Sequence, residues 1–210
     1  MELDDPMPAA DDNTGWLVAG LGNPGPEYEL SPHNLGFLAV DRLAQRHAVR
    51  LTRKEANSLV GLGRVGGVPV VLVKPQTFMN VSGPAVKALL DRYELPAAKL
   101  LLVYDELALP WQQFRIRPKG SSAGHNGVKS VIRSLGTEEF ARLRLGIHPG
   151  HPIGDGAKFV LEPMRKPRWN ELDEMLDHAA EAIESILAEG VDKSMAKYNR
   201  RAPGSTEEEK

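Results

Sequence analysis

The chain has 210 residues, no cysteine and a formal net charge of −2, and 41% of its residues are hydrophobic. This length and composition suit one domain with a buried core and exclude disulfides and thiolate zinc sites. The lack of cysteine is typical of a reducing compartment, and no apolar run is long enough for a secretion signal or a membrane span. We therefore expect a cytoplasmic protein that does not enter a membrane.

The acidic residues are concentrated at the two ends of the chain. Residues 1–14 carry five acidic side chains and no basic one, and residues 203–210 carry three Glu and one Lys. We predict disordered tails at 1–14 and 201–210 and one domain over residues 15–200. Residues 15–202 carry a net charge of +5, and residues 110–147 alone also carry +5. A solvated face would explain this cluster, and so would a nucleic-acid partner.

Hydrophobic periodicity predicts ten elements along the chain. In chain order we predict a strand at Trp16–Leu21, a helix at Leu38–His47, strands at Leu59–Val65 and Val68–Lys74, a helix at Ala85–Tyr93, strands at Leu100–Tyr104 and Phe114–Arg117, a helix at Val128–Leu135, a strand at Leu143–Ile147 and a helix at Trp169–Leu187. Gly66 and Gly67 predict a hairpin, and Ser82 with Pro84 predicts a helix start. Strands that alternate with helices predict an α/β fold: a single-domain sandwich with a mixed, mostly parallel sheet flanked by helices.

The segment after the first strand matches the dinucleotide-binding pattern G-x-G-x-x-G at Gly20, Gly22 and Gly25. That pattern binds a pyrophosphate when a helix begins directly after it. Prolines stand at positions 24, 26 and 32. Proline removes backbone donors and disfavours helical geometry in the preceding residue, so no helix can begin there. We therefore predict a long loop at Asn23–Asn34, of the kind that often carries functional residues, and no dinucleotide site.

Polar side chains follow several predicted strands, where they could meet in one cleft. Taken singly, Asn80 could cap a helix, Asp105 could be an ordinary acid at a strand end, and His33 could be a surface histidine. Together, His33 and Asp105 indicate catalysis. A carboxylate bonded to a histidine fixes its tautomer and stabilises the cation formed when it accepts a proton. The chain has no cysteine, G-x-S-x-G or H-E-x-x-H, so we expect water as the nucleophile and neither cofactor nor metal. Asn23, Asn80 and Asn126 can bind carbonyl oxygens or peptide amides.

Several motifs then occur in a recognisable order. They are GLGNPG with a following Tyr and a His-Asn pair, KPQTFMNVSG, a strand that ends in Asp, GSSAGHNG and FARLRLGI. They resemble the motifs of the bacterial-type peptidyl-tRNA hydrolases, over residues 17–161. The resemblance implies a monomeric α/β enzyme that hydrolyses the ester between a peptide and the 3′ ribose of tRNA. Such an enzyme recycles tRNA from stalled or aborted translation.

The resemblance also implies a role for each residue that stands in a family motif. His33 matches the general base, Asp105 the acid that supports it, and Asn23 the residue that recognises the N-blocked peptide. Four residues match positions that hold the end of the peptidyl-tRNA: Tyr28, Phe78, Asn80 and Asn126. Arg117 and Arg144 match the basic pair that binds the 5′ phosphate of tRNA. The implied partner is therefore peptidyl-tRNA.

The chain departs from the family pattern in two places. The family usually has Thr-Arg-His-Asn where this chain has Ser-Pro-His-Asn at 31–34, and the lost charge is expected to change substrate affinity more than the chemistry. After Ile147 the family has an extra glycine, so we expect the following segment to sit differently. His148 and His151 lie in a proline-rich loop and are weak evidence of a metal site. His125 is expected to have a structural role.

Two other functions remain open from the sequence. By resemblance, the same fold also serves in a non-catalytic RNA-binding factor, but the presence of His33 and Asp105 favours an enzyme. An esterase for small acyl compounds would need no basic cluster. Arg117 and Arg144 therefore favour a tRNA substrate over a small ester.

Overall fold

The computed structural model describes residues 15–164 and 169–199, without the side chain of Trp169. These residues form a seven-stranded sheet with helices on both faces. The strands are β1 (Trp16–Gly20), β2 (Arg53–Glu55), β3 (Ser58–Val65), β4 (Val68–Pro75), β5 (Leu100–Pro110), β6 (Phe114–Arg117) and β7 (Ala141–His148). The helices are α1 (Leu35–Arg46), α2 (Ser82–Arg92), α3 (Asn126–Leu135), α4 (Gly156–Leu161), α5 (Trp169–Glu189) and α6 (Val191–Tyr198). The predicted tails at 1–14 and 201–210 lie outside the described residues.

The order of the strands in the sheet is β2-β3-β4-β1-β5-β7-β6. The four strands β4, β1, β5 and β7 are parallel neighbours. β3 pairs antiparallel with β2 and β4, and β6 pairs antiparallel with β7. Five of the seven strands therefore run in one direction, which confirms the predicted mixed, mostly parallel sheet.

The sheet separates two hydrophobic clusters, which explains why its central strands are apolar along their whole length. Successive side chains of a strand point to opposite faces. In β1, Val18 packs in the cluster that includes Leu43 of α1 and Ile183 of α5. Leu17 packs in the other cluster with Leu89 of α2, among others. Because both faces are covered, both sets of side chains are apolar, and the predicted sandwich is confirmed.

Two glycines allow α1 to pack directly on β1. A Cβ atom at Gly20 would overlap the carbonyl group of Gly36, and one at Gly36 would overlap the backbone of Leu21. The chain between them ends in a 3-10 turn at Pro32–Asn34, and α1 begins only at Leu35. The prediction that no helix follows the glycine segment directly is therefore correct.

All ten predicted elements are present, with small shifts at their ends. The β3–β4 hairpin turns at Gly66 and Gly67, whose φ angles are 56° and 85°. β5 continues beyond its predicted end at Tyr104, and β2, α4 and α6 were not predicted. None of the described helices has both the length and the apolarity required to cross a membrane.

Candidate active site

A cleft of about 730 Å³ opens where the parallel strands end. Ligands of open α/β sheets bind at this carboxyl edge because the loops after neighbouring strands meet there. Seven of the predicted site residues line the cleft: Asn23, Tyr28, His33, Phe78, Asn80, Asp105 and Asn126. Arg117 and Arg144 instead line a second cavity of about 150 Å³. The structure thus brings the predicted residues together in two groups.

His33 and Asp105 form a buried hydrogen-bonded pair within the cleft. The Nδ1 atom of His33 lies 2.8 Å from Oδ1 of Asp105, and the two residues are 9% and 3% exposed. An ionised carboxylate can only accept, so Nδ1 must carry the proton. The lone pair of neutral His33 is therefore on Nε2. This is the arrangement that a general base requires.

His125 donates to the same carboxylate oxygen, but both of its nitrogens are occupied. Its Nε2 atom lies 3.1 Å from Oδ1 of Asp105, and its Nδ1 accepts from the backbone N–H of Val128 at 3.3 Å, which caps α3. Since Nδ1 accepts, Nε2 carries the proton of the neutral ring. His125 therefore has no lone pair to take a proton from water. Its geometry agrees with the structural role expected from the sequence.

The charge of Asp105 is maintained despite its burial. Burial alone raises the pKa of this carboxyl, but His125 and His33 favour the charged form and hold the pKa below its ordinary value of 3.8. The carboxylate therefore stays ionised at neutral pH. A fixed negative charge beside His33 stabilises the imidazolium that would form during proton transfer.

His33, Asp105 and His125 also have the spacing of a metal site, since their ligand atoms all lie within 4.8 Å of one another. A metal on Nε2 of His125 would move that ring's proton to Nδ1. A protonated Nδ1 would then face the N–H of Val128, donor against donor, and the cap of α3 would be lost. The hydrogen bonds of His33, Asp105 and His125 therefore favour a hydrogen-bonded group over a metal site.

Asn23 is held rigidly by its neighbours. Its backbone N–H donates to Oδ1 of Asn34 at 2.8 Å, and its carbonyl accepts from Nδ2 of Asn34 at 3.0 Å. The side-chain Oδ1 of Asn23 accepts from the backbone N–H of Met79 at 2.8 Å. Its Nδ2 group has no hydrogen-bond partner among the described residues, and Asn23 lines the cleft. Two amide hydrogens are thus available to a substrate carbonyl.

Exposed apolar side chains line the cleft. Phe78 is 61% exposed and Leu161 is 39% exposed, which is unusual for large apolar residues. Leu161 belongs to α4, which lines the cleft together with the loop that carries Phe78. Exposed apolar surface within a concave site favours binding of an apolar or aromatic group, such as a nucleobase.

Four arginines form a two-by-two group on β6 and β7, which we call the arginine grid. Arg115 lies opposite Arg144, and Arg117 lies opposite Arg142. Opposite and alternate residues of an antiparallel pair project from the same face, so all four side chains share one face of the sheet. Like charges directly opposite each other are destabilising, and a bound anion would relieve this repulsion.

The members of the arginine grid differ in their partners. Nε of Arg144 donates to Oε2 of Glu106 at 2.9 Å, and its Nη2 donates to the same oxygen. Arg142 is buried, lies 4.5 Å from the ring centre of Phe140 and donates to backbone carbonyls. Arg117 is exposed and forms no ion pair within the described part of the chain. Of the predicted phosphate pair, Arg117 is available to an anion, and Arg144 is already held by a carboxylate.

The comparison with known proteins identifies the family. A family model described as peptidyl-tRNA hydrolase matches residues 17–207. The chain belongs to the peptidyl-tRNA hydrolase family. The peptidyl-tRNA hydrolase of Solibacter usitatus is 56% identical over 194 residues, which cover 92% of this chain and 99% of that protein. The peptidyl-tRNA hydrolase of Koribacter versatilis is 46% identical over 186 residues, which cover 88% and 92%.

Solved structures of the peptidyl-tRNA hydrolase family have the same fold. The crystal structure of peptidyl-tRNA hydrolase from Acinetobacter baumannii matches with a TM-score of 0.82 and 30% identity, covering 93% of this chain and 100% of that chain. The predicted fold class and the predicted family are therefore both confirmed.

Three features of this site were not predicted from the sequence. Asn34 was named as a residue of the Asn23–Asn34 loop and of the histidine-asparagine pair, but no role was predicted for its side chain, which fixes the backbone of Asn23. Glu106 follows Asp105 directly in the sequence, yet its ion pair with Arg144 could not be read from that position. The wall formed by α4 comes from a helix of six residues, which is too short to give a clear periodic signal.

Proposed function

We propose that the chain hydrolyses the ester bond between the peptide and the 3′ ribose of peptidyl-tRNA, and so recycles tRNA from stalled or aborted translation. Family membership supports the reaction. The observation that carries the mechanism is the His33–Asp105 pair in the cleft, with Nδ1 bonded to a buried carboxylate. We further propose that the enzyme works in the cytoplasm, as a monomer and without a cofactor.

The proposed chemistry begins with a water molecule beside Nε2 of His33. His33 takes one proton as the water oxygen attacks the ester carbonyl, and Asp105 stabilises the resulting imidazolium. The tetrahedral intermediate then collapses, the bond to the ribose oxygen breaks, and His33 returns the proton to that oxygen. The products are a tRNA with its 3′ hydroxyl restored and a peptide carboxylic acid, which releases the second proton of the water molecule to solvent and becomes a carboxylate.

Amide side chains are proposed to hold the acyl part of the substrate. The unused Nδ2 hydrogens of Asn23 can donate to a peptide carbonyl, because the Asn23 oxygen is already occupied by Met79. Asn80 and Asn126 line the same cleft and can donate to the developing oxyanion or to the ribose. Neutral donors suit an N-blocked peptide better than a free α-amino group, which is a cation.

The tRNA part is proposed to lie across the cleft and the arginine grid. Tyr28 and Phe78 offer aromatic surface to the unpaired bases at the acceptor end. Arg117 is proposed to bind the 5′ phosphate, with Arg144 beside it in the same cavity. This arrangement disfavours an esterase for small acyl compounds, because such substrates have no phosphate for the arginine grid to bind. The His33–Asp105 pair equally disfavours a purely RNA-binding role.

Arg117→Ala is expected to weaken binding of full-length peptidyl-tRNA and to leave a short ester unaffected. Each phosphate contact releases condensed counterions, so the slope of log affinity against log salt should fall in magnitude by about 1. The measurement is KM for N-acetyl-aminoacyl-tRNA at salt concentrations between about 50 and 200 mM. The comparison substrate is the same N-acetyl-aminoacyl group on a CCA trinucleotide.

Arg50→Ala is the matched control for Arg117→Ala. Arg50 is an exposed arginine beside β3, and β3 and β6 lie near opposite edges of the sheet. It should leave both KM values and the salt slope unchanged. If Arg117→Ala raised KM equally for tRNA and trinucleotide, the assignment of Arg117 to a phosphate would be wrong.

A further inference from the structure

Asn199, the residue immediately after α6, forms hydrogen bonds with the outer edge of β6. Oδ1 of Asn199 accepts from the backbone N–H of Ile116 at 2.7 Å, and Nδ2 of Asn199 donates to the carbonyl of Ile116 at 3.0 Å. β6 is the last strand in the sheet order. Both outward backbone groups of Ile116 are therefore bonded by one carboxamide, as they would be by another strand.

The alternation of an antiparallel pair explains why Ile116 needs this partner. In such a pair, alternate residues direct their N–H and C=O groups toward the neighbouring strand or away from it. Since the groups of Ile116 point to Asn199, those of Arg115 and Arg117 point toward β7. The side chain of Ile116 is fully buried, so the two arginines project from the opposite face, on which the arginine grid lies.

We infer that Asn199 is a positioning residue for tRNA binding, because it fixes the edge of the strand that carries Arg117. The inference rests on the proposed function. Arg117 is the last residue of β6, and among the described residues β7 is the only strand that pairs with β6. A strand edge without partners can fray, and fraying would displace the Arg117 side chain from the cavity that it shares with Arg144.

The same arrangement occurs in the loop at Asn23–Asn34, which carries His33. The carboxamide of Asn34 bonds both the N–H and the carbonyl of Asn23, at 2.8 and 3.0 Å. In each case one asparagine fixes the backbone of a segment that carries a proposed substrate contact. Asn34 acts in this way on the peptide side of the site, and Asn199 acts in this way on the tRNA side.

The test compares Asn199→Ala with wild type and with Asn170→Ala, which removes an exposed asparagine from α5. Amide hydrogen exchange of Ile116, measured by NMR on the full chain, reports whether the hydrogen bond from Ile116 to Asn199 protects the edge of β6. KM and kcat are measured for N-acetyl-aminoacyl-tRNA and for the same acyl group on a CCA trinucleotide. We expect Asn199→Ala to speed exchange at Ile116 and to raise KM for the tRNA roughly three- to tenfold, the size of a weakened phosphate contact.

We also expect kcat on both substrates, and KM for the trinucleotide, to stay at the wild-type values in Asn199→Ala and in the control. The inference is overturned if Ile116 stays protected, if KM for the tRNA is unchanged, or if both substrates lose activity equally. Wild type and Arg117→Ala are run in the same assay. If wild type fails to cleave the tRNA ester, or if Arg117→Ala does not raise its KM, then the proposed function fails rather than the role of Asn199 alone.

Discussion

Replacing His33 with alanine is expected to lower kcat for peptidyl-tRNA by about 10² to 10⁴, the usual contribution of a general base. The reason is that Nε2 of His33 is the proposed acceptor for the proton of the attacking water, while His125 has both nitrogens occupied. The fold should persist, because Asp105 keeps its bond to His125. The measurement is single-turnover hydrolysis of N-acetyl-aminoacyl-tRNA, with thermal unfolding recorded in parallel.

His178→Ala serves as the control for His33→Ala, because His178 is an exposed histidine on α5. It should retain wild-type kcat. Activity of His33→Ala within about tenfold of wild type would contradict the assignment of His33 as the base, since that loss is smaller than general-base catalysis provides.

Asp105→Asn is expected to lower kcat on the order of 10² or more while binding changes little. His33 and His125 both bond to the same oxygen, Oδ1, so an asparagine can keep both hydrogen bonds through its carbonyl oxygen. What it loses is the charge that stabilises protonated His33. The substitution therefore isolates the electrostatic contribution. Binding is measured as Kd for a peptidyl-tRNA analogue with an amide in place of the ester.

The control for Asp105→Asn is Asp91→Asn, which changes an exposed acid on α2. It should affect neither kcat nor Kd. If Asp105→Asn weakened binding of the analogue as much as it lowered kcat, Asp105 would be a binding residue and not the partner of a general base.

The sheet could be predicted because its central strands are buried on both faces. β1, β4 and β5 therefore appear in the sequence as short apolar runs that end in Gly, Pro or polar residues. β2 was missed because Arg53–Glu55 consists of three charged residues, which pair with β3 at the edge of the sheet as far as the structure describes it. The extension of β5 was missed because Asp105 and Glu106 are polar, and their burial depends on hydrogen bonds to His33 and Arg144 from distant parts of the chain.

The location of the cleft could also be predicted, but its internal bonds could not. Prolines in the first loop excluded a dinucleotide site, and polar residues after several strands indicated a shared edge. The tautomer of His125 depends on its contact with Asp105. The edge of β6 is fixed by the contact between Ile116 and Asn199, which are 83 positions apart. Such contacts depend on the packed fold, and no local pattern encodes them.

Peptidyl-tRNA hydrolase activity is tested by the rate of ester hydrolysis on N-acetyl-aminoacyl-tRNA compared with that on unblocked aminoacyl-tRNA. The proposed site offers amide donors from Asn23, which suit a neutral acyl group and repel the ammonium of a free amino acid. We expect kcat/KM for the blocked substrate to exceed that for the unblocked one by at least about 100-fold, because a site that hydrogen-bonds a substrate group can reject an analogue without that group by as much as about 10⁴ to 10⁵. Equal rates on the two substrates, or no hydrolysis of the blocked one, would contradict the proposed hydrolysis of peptidyl-tRNA.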